Sequence, residues 1–207
     1  MNWLAHLYLS PPTIHSRIGN LAADLIKGND WPGLPTEAQS GIRLHRGIDR
    51  FTDQHPIFHK SKKRLTANGY LRGIAIDLLY DHFLTLHWSQ FSNDPLEAFL
   101  DSFYREATAN LHPYPVKIRE FVESVVRSNR LAKYTSLEGV LHGMHHIDSR
   151  LSSRVRMRET VTPYFRSIKE NYRGLESDFL QFFPQLIQFA QPQLSPLSQN
   201  GTTQLNR

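Results

Sequence analysis

The stretch LEAFLDSFYREATANL, residues 96–111, has an apolar residue at almost every third or fourth position. This spacing places the apolar side chains on one face of an α-helix. The same steps recur along the chain, including segments 118–125, 165–175 and 179–186. No segment shows the sustained alternation of apolar and polar residues that is typical of strands. The pattern therefore predicts an all-α protein, a single compact helical domain of about seven or eight helices.

Proline and glycine divide this helical pattern. Residues 31–35, WPGLP, form a predicted loop, and Thr36 followed by Glu37 can open the next helix. Beyond Ala190 the chain becomes polar and contains several prolines, a composition typical of disorder. We therefore predict a helical domain over residues 1–190 and a flexible C-terminal tail over residues 191–207.

Length and composition restrict the class of protein. The chain has 207 residues and no cysteine, which suits one domain and leaves only nitrogen and oxygen ligands for a metal. We read no signal peptide at the N-terminus, and no apolar run approaches the ~18 residues needed to span a bilayer. The net charge of +5 suggests an acidic partner. The aromatic residues follow helical spacing and indicate core packing rather than nucleic-acid binding. We expect a cytoplasmic protein without a membrane span.

Aspartate and histidine recur at four-residue spacing in the first 82 residues. The pairs are Asn20 with Asp24, His45 with Asp49, and Asp77 with Asp81, which His82 follows. Residues four apart share a helix face, with Cβ atoms roughly 5–6 Å apart. One such pair is usually an ordinary polar contact. Here Asp24 and Asp77 have apolar neighbours, and buried charge is costly unless it is paired or binds metal, so the pairs together predict a metal site.

Other polar clusters have simpler interpretations. His142, His145, His146 and Asp148 have metal-like spacing, but a histidine-rich exposed helix end is the favoured interpretation. Two basic runs cover residues 60–64 and 150–158. Such runs are usually solvated faces, although they could also receive an acidic protein or a nucleic acid.

Several motifs resemble those of the acyl carrier protein phosphodiesterases. They are MNWLAHLYL at 1–9, GNLAADLIKGN at 19–29, GIRLHRGIDRFTD at 41–53, DLLYDHFL at 77–84, HWS at 87–89 and GM at 143–144. The match runs in order from Met1 to about Gln191 and is densest before residue 92. The resemblance implies an all-α relative of the HD phosphohydrolases, with a role in fatty acid biosynthesis. It also implies a divalent metal, typically Mn²⁺, and hydrolysis of the phosphodiester that joins 4′-phosphopantetheine to a serine of holo-acyl carrier protein. The products would be the apo-carrier and free 4′-phosphopantetheine.

The resemblance also implies a set of site residues. Carried over by position, they are His6, Asn20, Asp24, His45, Arg46, Asp49, Asp53, Asp77, Asp81 and His82. We predict that the metal is held by Asp24, His45, Asp77 and His82. The predicted catalytic residues are Asp24, Asp49, Asp81 and Arg46, the arginine serving as a phosphate clamp. We predict that His6, Asn20 and Asp53 support the ligands. In this hypothesis, metal-activated water attacks phosphorus and the serine oxygen leaves.

The chain departs from the expected pattern in two places. The adjacent pair reads Asp81-His82, the reverse of the usual HD order. The His145-His146 pair falls where the family pattern has no matching histidines, which supports the interpretation as a helix end.

The expected partner is the acidic holo-acyl carrier protein, which a basic face would orient. We predict that this face contains either Lys62, Lys63 and Arg64 or the arginines around Arg154 and Arg158. Two alternatives remain at this point. One is a related phosphohydrolase acting on nucleotides or small phosphoesters, and the other is a non-catalytic helical module that binds acidic proteins.

Overall fold

A computed structural model of the protein describes residues 1–28 and 31–194. These residues form twelve α-helices and two 3-10 helices (Ala23–Leu25 and Arg130–Thr135), with no strand among them. The α-helices are α1 Trp3–Tyr8, α2 Ile14–Leu21, α3 Thr36–Gln54, α4 Pro56–Leu65, α5 Arg72–Leu86, α6 Trp88–Phe91, α7 Leu96–Ala109, α8 Val116–Arg127, α9 Leu137–Arg150, α10 Ser153–Arg156, α11 Tyr164–Glu170 and α12 Tyr172–Leu194. The predicted all-α class is confirmed.

The predicted number of seven or eight helices matches the number of long helices rather than all twelve α-helices of the described residues. Seven helices, α3, α4, α5, α7, α8, α9 and α12, have ten or more residues. The remaining helices are short, and periodicity does not reveal elements of one or two turns. Helix α3 begins at the predicted Thr36, and α12 continues to Leu194, so the start of the predicted tail is helical. Residues 195–207 of that tail lie outside the described residues. Among those that are described, no helix combines the length and apolar character required to cross a bilayer.

Two glycines allow α2 and α3 to pack unusually closely. A Cβ atom on Gly19 would lie 2.1 Å from the carbonyl oxygen of Ala38, and one on Gly41 would lie 2.1 Å from that of Ser16. Both distances are far below van der Waals contact, so any side chain at either position would push the helices apart. The close approach brings Asn20, near the end of α2, against His45 on α3.

Helix α1 is fixed to α5 by a buried carboxylate. The side chain of Asp81 accepts hydrogen bonds from the backbone N–H groups of Leu4 (2.9 Å) and Ala5 (3.1 Å), at the start of α1. A carboxylate there satisfies N–H groups that lack a partner within the helix. Burial raises the pKa of Asp81 to about 7, although these backbone hydrogen bonds oppose the shift. The contact places the first residues of the chain beside Asp77, one turn earlier on α5.

Candidate metal centre

Two buried imidazoles lie against each other where α1 meets α3. The rings of His6 and His45 stack with centroids 3.9 Å apart and planes inclined by 16°. Both side chains are almost completely removed from solvent. Buried polar rings require hydrogen-bond partners, and each of the four ring nitrogens has one.

Asn20 fixes the orientation of both rings. Nδ1 of His6 lies 2.9 Å from the side-chain oxygen of Asn20, and Nδ1 of His45 lies 2.8 Å from its backbone oxygen. The Asn20 amide nitrogen donates to the carbonyl oxygen of His6 and to the hydroxyl of Ser10, which identifies Oδ1 as the acceptor. Nδ1 of both rings therefore faces an oxygen acceptor to which it can donate, and Nε2 of His6 likewise lies 3.1 Å from the backbone oxygen of Met1. In a neutral ring whose proton is on Nδ1, Nε2 has a lone pair that can bind a metal.

The Nε2 atoms converge on carboxylates. Those of His6 and His45 lie 3.2 and 3.1 Å from the two carboxylate oxygens of Asp49. Nε2 of His45 is also 3.3 Å from Asp24, whose side chain is 77% exposed. Ligand atoms of His6, His45 and Asp49 all lie within 4.8 Å of one another. Two imidazole nitrogens and a carboxylate oxygen are a suitable donor set for a divalent transition metal.

The protonation states of the two histidines differ. Burial lowers the pKa of His45, but the hydrogen bonds to Asp24 and Asp49 outweigh this and raise it to about 9. For His6, burial and the neighbouring His45 lower the pKa to about 4. The metal-free site therefore holds one protonated and one neutral imidazole at neutral pH. Burial opposes ionisation of Asp49, yet its hydrogen bonds to the two histidines hold its pKa far below the usual range.

The α-amino group of Met1 and the carboxylate of Asp77 adjoin the two histidines. The α-amino nitrogen of Met1 lies 3.1 Å from Asp77 and 3.6 Å from Asp49. Burial lowers the pKa of this amino group, but Asp77 and Asp49 raise it by more. Burial raises the pKa of the Asp77 carboxyl. A cavity of about 220 Å³ opens onto the cluster and is lined by Met1, Asp24, His45, Asp49, Thr52, Asp53 and Asp77. The sequence analysis did not predict this amino group because it belongs to the backbone, and the pattern of side chains does not reveal it.

The predicted site residues are therefore only partly brought together. Asp24, His45, Asp49, Asp53 and Asp77 line the cavity, with His6 and Asn20 behind them. Asp81 holds the start of α1 instead.

His82 faces another part of the molecule. Its Nδ1 lies 2.7 Å from the backbone oxygen of Tyr134, and its Nε2 lies 2.8 Å from the hydroxyl of Tyr172. The structure thus gives both ring nitrogens protein partners and does not place His82 among the cavity residues. Arg46 donates to the carbonyl oxygen of Ile26 and lies over the ring of Trp31, 4.9 Å from its centroid.

The predicted basic faces have different environments. In the first run, Arg64 and Lys60 form ion pairs with the buried carboxylate of Asp178. Lys62 lies over the ring of Phe58, 4.9 Å from its centroid. In the second run, Arg154, Arg156 and Arg158 are exposed.

The histidine-rich segment near residue 145 lies on α9. His142, His145 and His146 are exposed, as the helix-end interpretation expects. Asp148 accepts hydrogen bonds from the backbone N–H groups of Val161 and Thr162. Its carboxylate therefore has a structural role in holding the chain after α10.

Comparison with known proteins agrees with the predicted resemblance. A family model for acyl carrier protein phosphodiesterase matches residues 1–186. Relatives that bear this name occur in Photorhabdus laumondii (32% identity over 92% of this chain and 96% of the relative) and Pectobacterium atrosepticum (32%, 93% and 99%). Another, from Yersinia pestis, is 32% identical over 92% of this chain and 98% of its own length. No solved structure matches. The chain belongs to the acyl carrier protein phosphodiesterase family.

Proposed function

We propose that the protein is a metal-dependent phosphodiesterase. Its substrate would be holo-acyl carrier protein, and the products would be the apo-carrier and free 4′-phosphopantetheine. The observation that supports this proposal is the pair of imidazoles of His6 and His45. Asn20 holds both rings through Nδ1, and their Nε2 atoms converge on Asp49. The family match over residues 1–186 supports the choice of substrate.

The residues present fit a divalent cation. Outer hydrogen bonds that fix the tautomer of a ligating histidine are typical of metal sites, and Asn20 supplies them for both rings. Among the candidates, Mn²⁺ suits a mixed donor set of carboxylate and imidazole. We propose that His6, His45 and Asp49 hold the ion, with Asp24 and Asp77 as further ligands. Binding requires loss of the His45 proton, since a protonated imidazole cannot donate a lone pair.

The chain's own residues then have distinct tasks. When bound, the cation would supply charge neutralisation for the phosphodiester and a water of lowered pKa. Asp24 is more exposed than Asp49 or Asp77, so it is our candidate to take the proton of the attacking water. We retain Arg46 as the phosphate clamp, a role that requires its guanidinium to leave the carbonyl oxygen of Ile26. We propose the cytoplasm as the location because a chain without cysteine suits a reducing compartment.

Mass spectrometry of holo-acyl carrier protein tests the proposal directly. After incubation with the enzyme and Mn²⁺, we expect the carrier to lose the mass of its prosthetic group and free 4′-phosphopantetheine to accumulate. A chelator should abolish the reaction, and Mn²⁺ should restore it. An unchanged carrier in the presence of Mn²⁺, Mg²⁺, Zn²⁺ or Fe²⁺, together with turnover of a nucleotide panel, would instead identify a related phosphohydrolase.

A further inference from the structure

A larger cavity lies beside the metal centre, between the 3-10 helix Arg130–Thr135 and α9. Its volume is about 320 Å³, and much of its wall is apolar, formed by Trp3, Leu78, Tyr134, Ile147 and Leu151. The cavity also borders Asn2. Asn2 and Trp3 follow Met1 in the chain, and Leu78 follows Asp77, so this cavity and the metal centre share two adjoining segments of backbone.

Positive charge surrounds this apolar cavity. Arg130, Lys133 and Arg150 line it together with His142 and His146. Within residues 1–28 and 31–194, none of the three permanent cations forms an ion pair with a carboxylate. The guanidinium of Arg130 lies 5.3 Å from the ring centroid of Trp3. Burial and then the nearby Arg130 and Arg150 lower the pKa of His146, as expected in a positive field.

We propose that this cavity and its cationic rim form the docking surface for an acidic protein. Carboxylates of the partner would meet Arg130, Lys133 and Arg150, and one apolar side chain would enter the cavity. The proposal rests on the proposed function, in which the acidic partner is the carrier protein. A carrier bound here would lie next to the cluster that acts on its prosthetic group.

The position of the charges favours a protein over a small anion. Lys133, His142, His146 and Arg150 are exposed at the mouth and only Arg130 is partly buried, so the cations surround the opening. A small ligand is instead typically recognised by a few polar groups placed inside its pocket. The predicted alternative at residues 62–64 is weaker because Arg64 already neutralises Asp178.

Binding of the apo-carrier, which cannot be turned over, tests this surface separately from catalysis. We expect Arg130→Glu/Arg150→Glu to raise the Kd for labelled apo-carrier at least tenfold and to reduce the salt dependence of binding. The matched control is Arg105→Glu/Lys117→Glu, which reverses two exposed cations elsewhere and changes the net charge equally. This control should change Kd less than threefold. Hydrolysis of bis(4-nitrophenyl) phosphate by the Mn²⁺-loaded protein should be the same in all three proteins, because this small diester needs no docking.

Each result decides a separate question. An unchanged Kd in the rim variant, or an equal loss in the control, would overturn the docking surface. Displacement of the apo-carrier by free 4′-phosphopantetheine, dependent on the rim, would overturn it in favour of a small-ligand site. Rim-dependent carrier binding without hydrolysis of the holo-carrier would contradict the proposed function and leave the surface standing. If the glutamate variant does not fold, Lys133→Gln/Arg150→Gln alters two exposed positions and should still raise Kd severalfold.

Discussion

Two aspartates on neighbouring helices lie in contrasting environments. Asp178 on α12 is fully buried. It forms ion pairs with Lys60 (2.9 Å) and Arg64 (2.7 Å) and accepts a hydrogen bond from the hydroxyl of Ser61 (3.0 Å). Asp49 on α3 is 41% exposed, and its partners are two imidazoles and the α-amino group of Met1. Burial opposes the ionisation of both carboxylates, and in both cases the polar partners outweigh it and lower the pKa.

The difference lies in what the partners can do. Lysine and arginine remain charged at neutral pH, so the charge of Asp178 is permanently balanced and no ligand is needed. Imidazoles can exchange their proton for a metal, and the cavity gives a ligand access to Asp49. A lowered carboxyl pKa therefore does not distinguish a structural from a functional site, whereas the identity of the carboxylate's partners does.

Removing the charge of Asp49 should have the largest effect. We expect Asp49→Asn to lower kcat/KM for the holo-carrier about 1,000-fold, which corresponds to about 4 kcal/mol. The reason is that, within the part of the chain that the structure describes, this carboxylate is the only group that contacts Nε2 of both histidines. Kinetics and Mn²⁺ titration of the folded variant provide the measurement. Retention of wild-type affinity and activity would contradict the assignment of this cluster as the metal centre.

The matching change at Asp178 should affect stability instead. Asp178→Ala leaves Lys60 and Arg64 without their counter-charge and Ser61 without its acceptor, and should cost about 3 kcal/mol of unfolding free energy. Urea denaturation gives the stability, and Mn²⁺ titration of the native variant should show unchanged affinity. A loss of metal affinity with little loss of stability would reverse the contrast drawn between the two aspartates.

Asn20 should matter for metal affinity without touching the metal. In Asn20→Ala the side-chain acceptor for Nδ1 of His6 is lost, so the orientation of that ring is no longer fixed. We expect Mn²⁺ affinity to fall about 10–100-fold, the usual cost of losing a group that orients a ligand. The control Ser10→Ala removes a partner of the Asn20 amide and a donor to the backbone oxygen of His6, but it leaves the acceptor for Nδ1 in place and should cost less. Equal losses in both variants would argue against the role of Asn20 in fixing the rings.

The metal-free protein should become less stable between about pH 6.5 and pH 9. The pKa of His45 is raised to about 9 in the folded state, so its contribution is complete below the unfolded value of 6.5 and is lost as pH rises through 9. We expect a loss of about 1–2 kcal/mol, less than the shift alone implies because Asp24 is well exposed. The Met1 amino group, whose pKa is also raised, and Asp81 titrate in the same direction.

Comparison with His45→Gln isolates the histidine. Both proteins are unfolded with denaturant in a chelating buffer at several pH values from 6.5 to 9.5. The contributions of Met1 and Asp81 cancel in the difference, which should shrink as pH rises. A difference that is constant across this range would show that His45 is not protonated in the folded protein.

The sequence predicted the class of fold and several residues that the structure brings together at the candidate site, for identifiable reasons. Long amphipathic helices have a clear period, and His45 with Asp49 is a four-residue pair that indeed converges. The partnership of Asn20 with two different rings depends on the close approach of α2 and α3, which spacing within one helix cannot show. The α-amino group at the cluster leaves no trace in the side-chain pattern either.

The pair Asp81-His82 shows most clearly what the sequence does not predict, namely which way each side chain of a helix points. Successive residues on a helix point about 100° apart, so the side chains of an adjacent pair can face different neighbours. The structure directs Asp81 toward α1 and His82 toward Tyr134 and Tyr172. Nothing in the sequence of α5 alone indicates which of the two, if either, faces Asp49.

His82→Gln should therefore have the smallest effect on the metal centre. Both ring nitrogens have protein partners, so we expect Mn²⁺ affinity to stay within about twofold of wild type, a difference below 0.5 kcal/mol. The loss of two hydrogen bonds should lower unfolding stability by about 1–2 kcal/mol. Calorimetric Mn²⁺ titration alongside urea denaturation separates the two effects, with Asp49→Asn as the reference for a lost ligand. A fall in metal affinity as large as that of the reference would restore His82 as a ligand and require α5 to rotate when the metal binds.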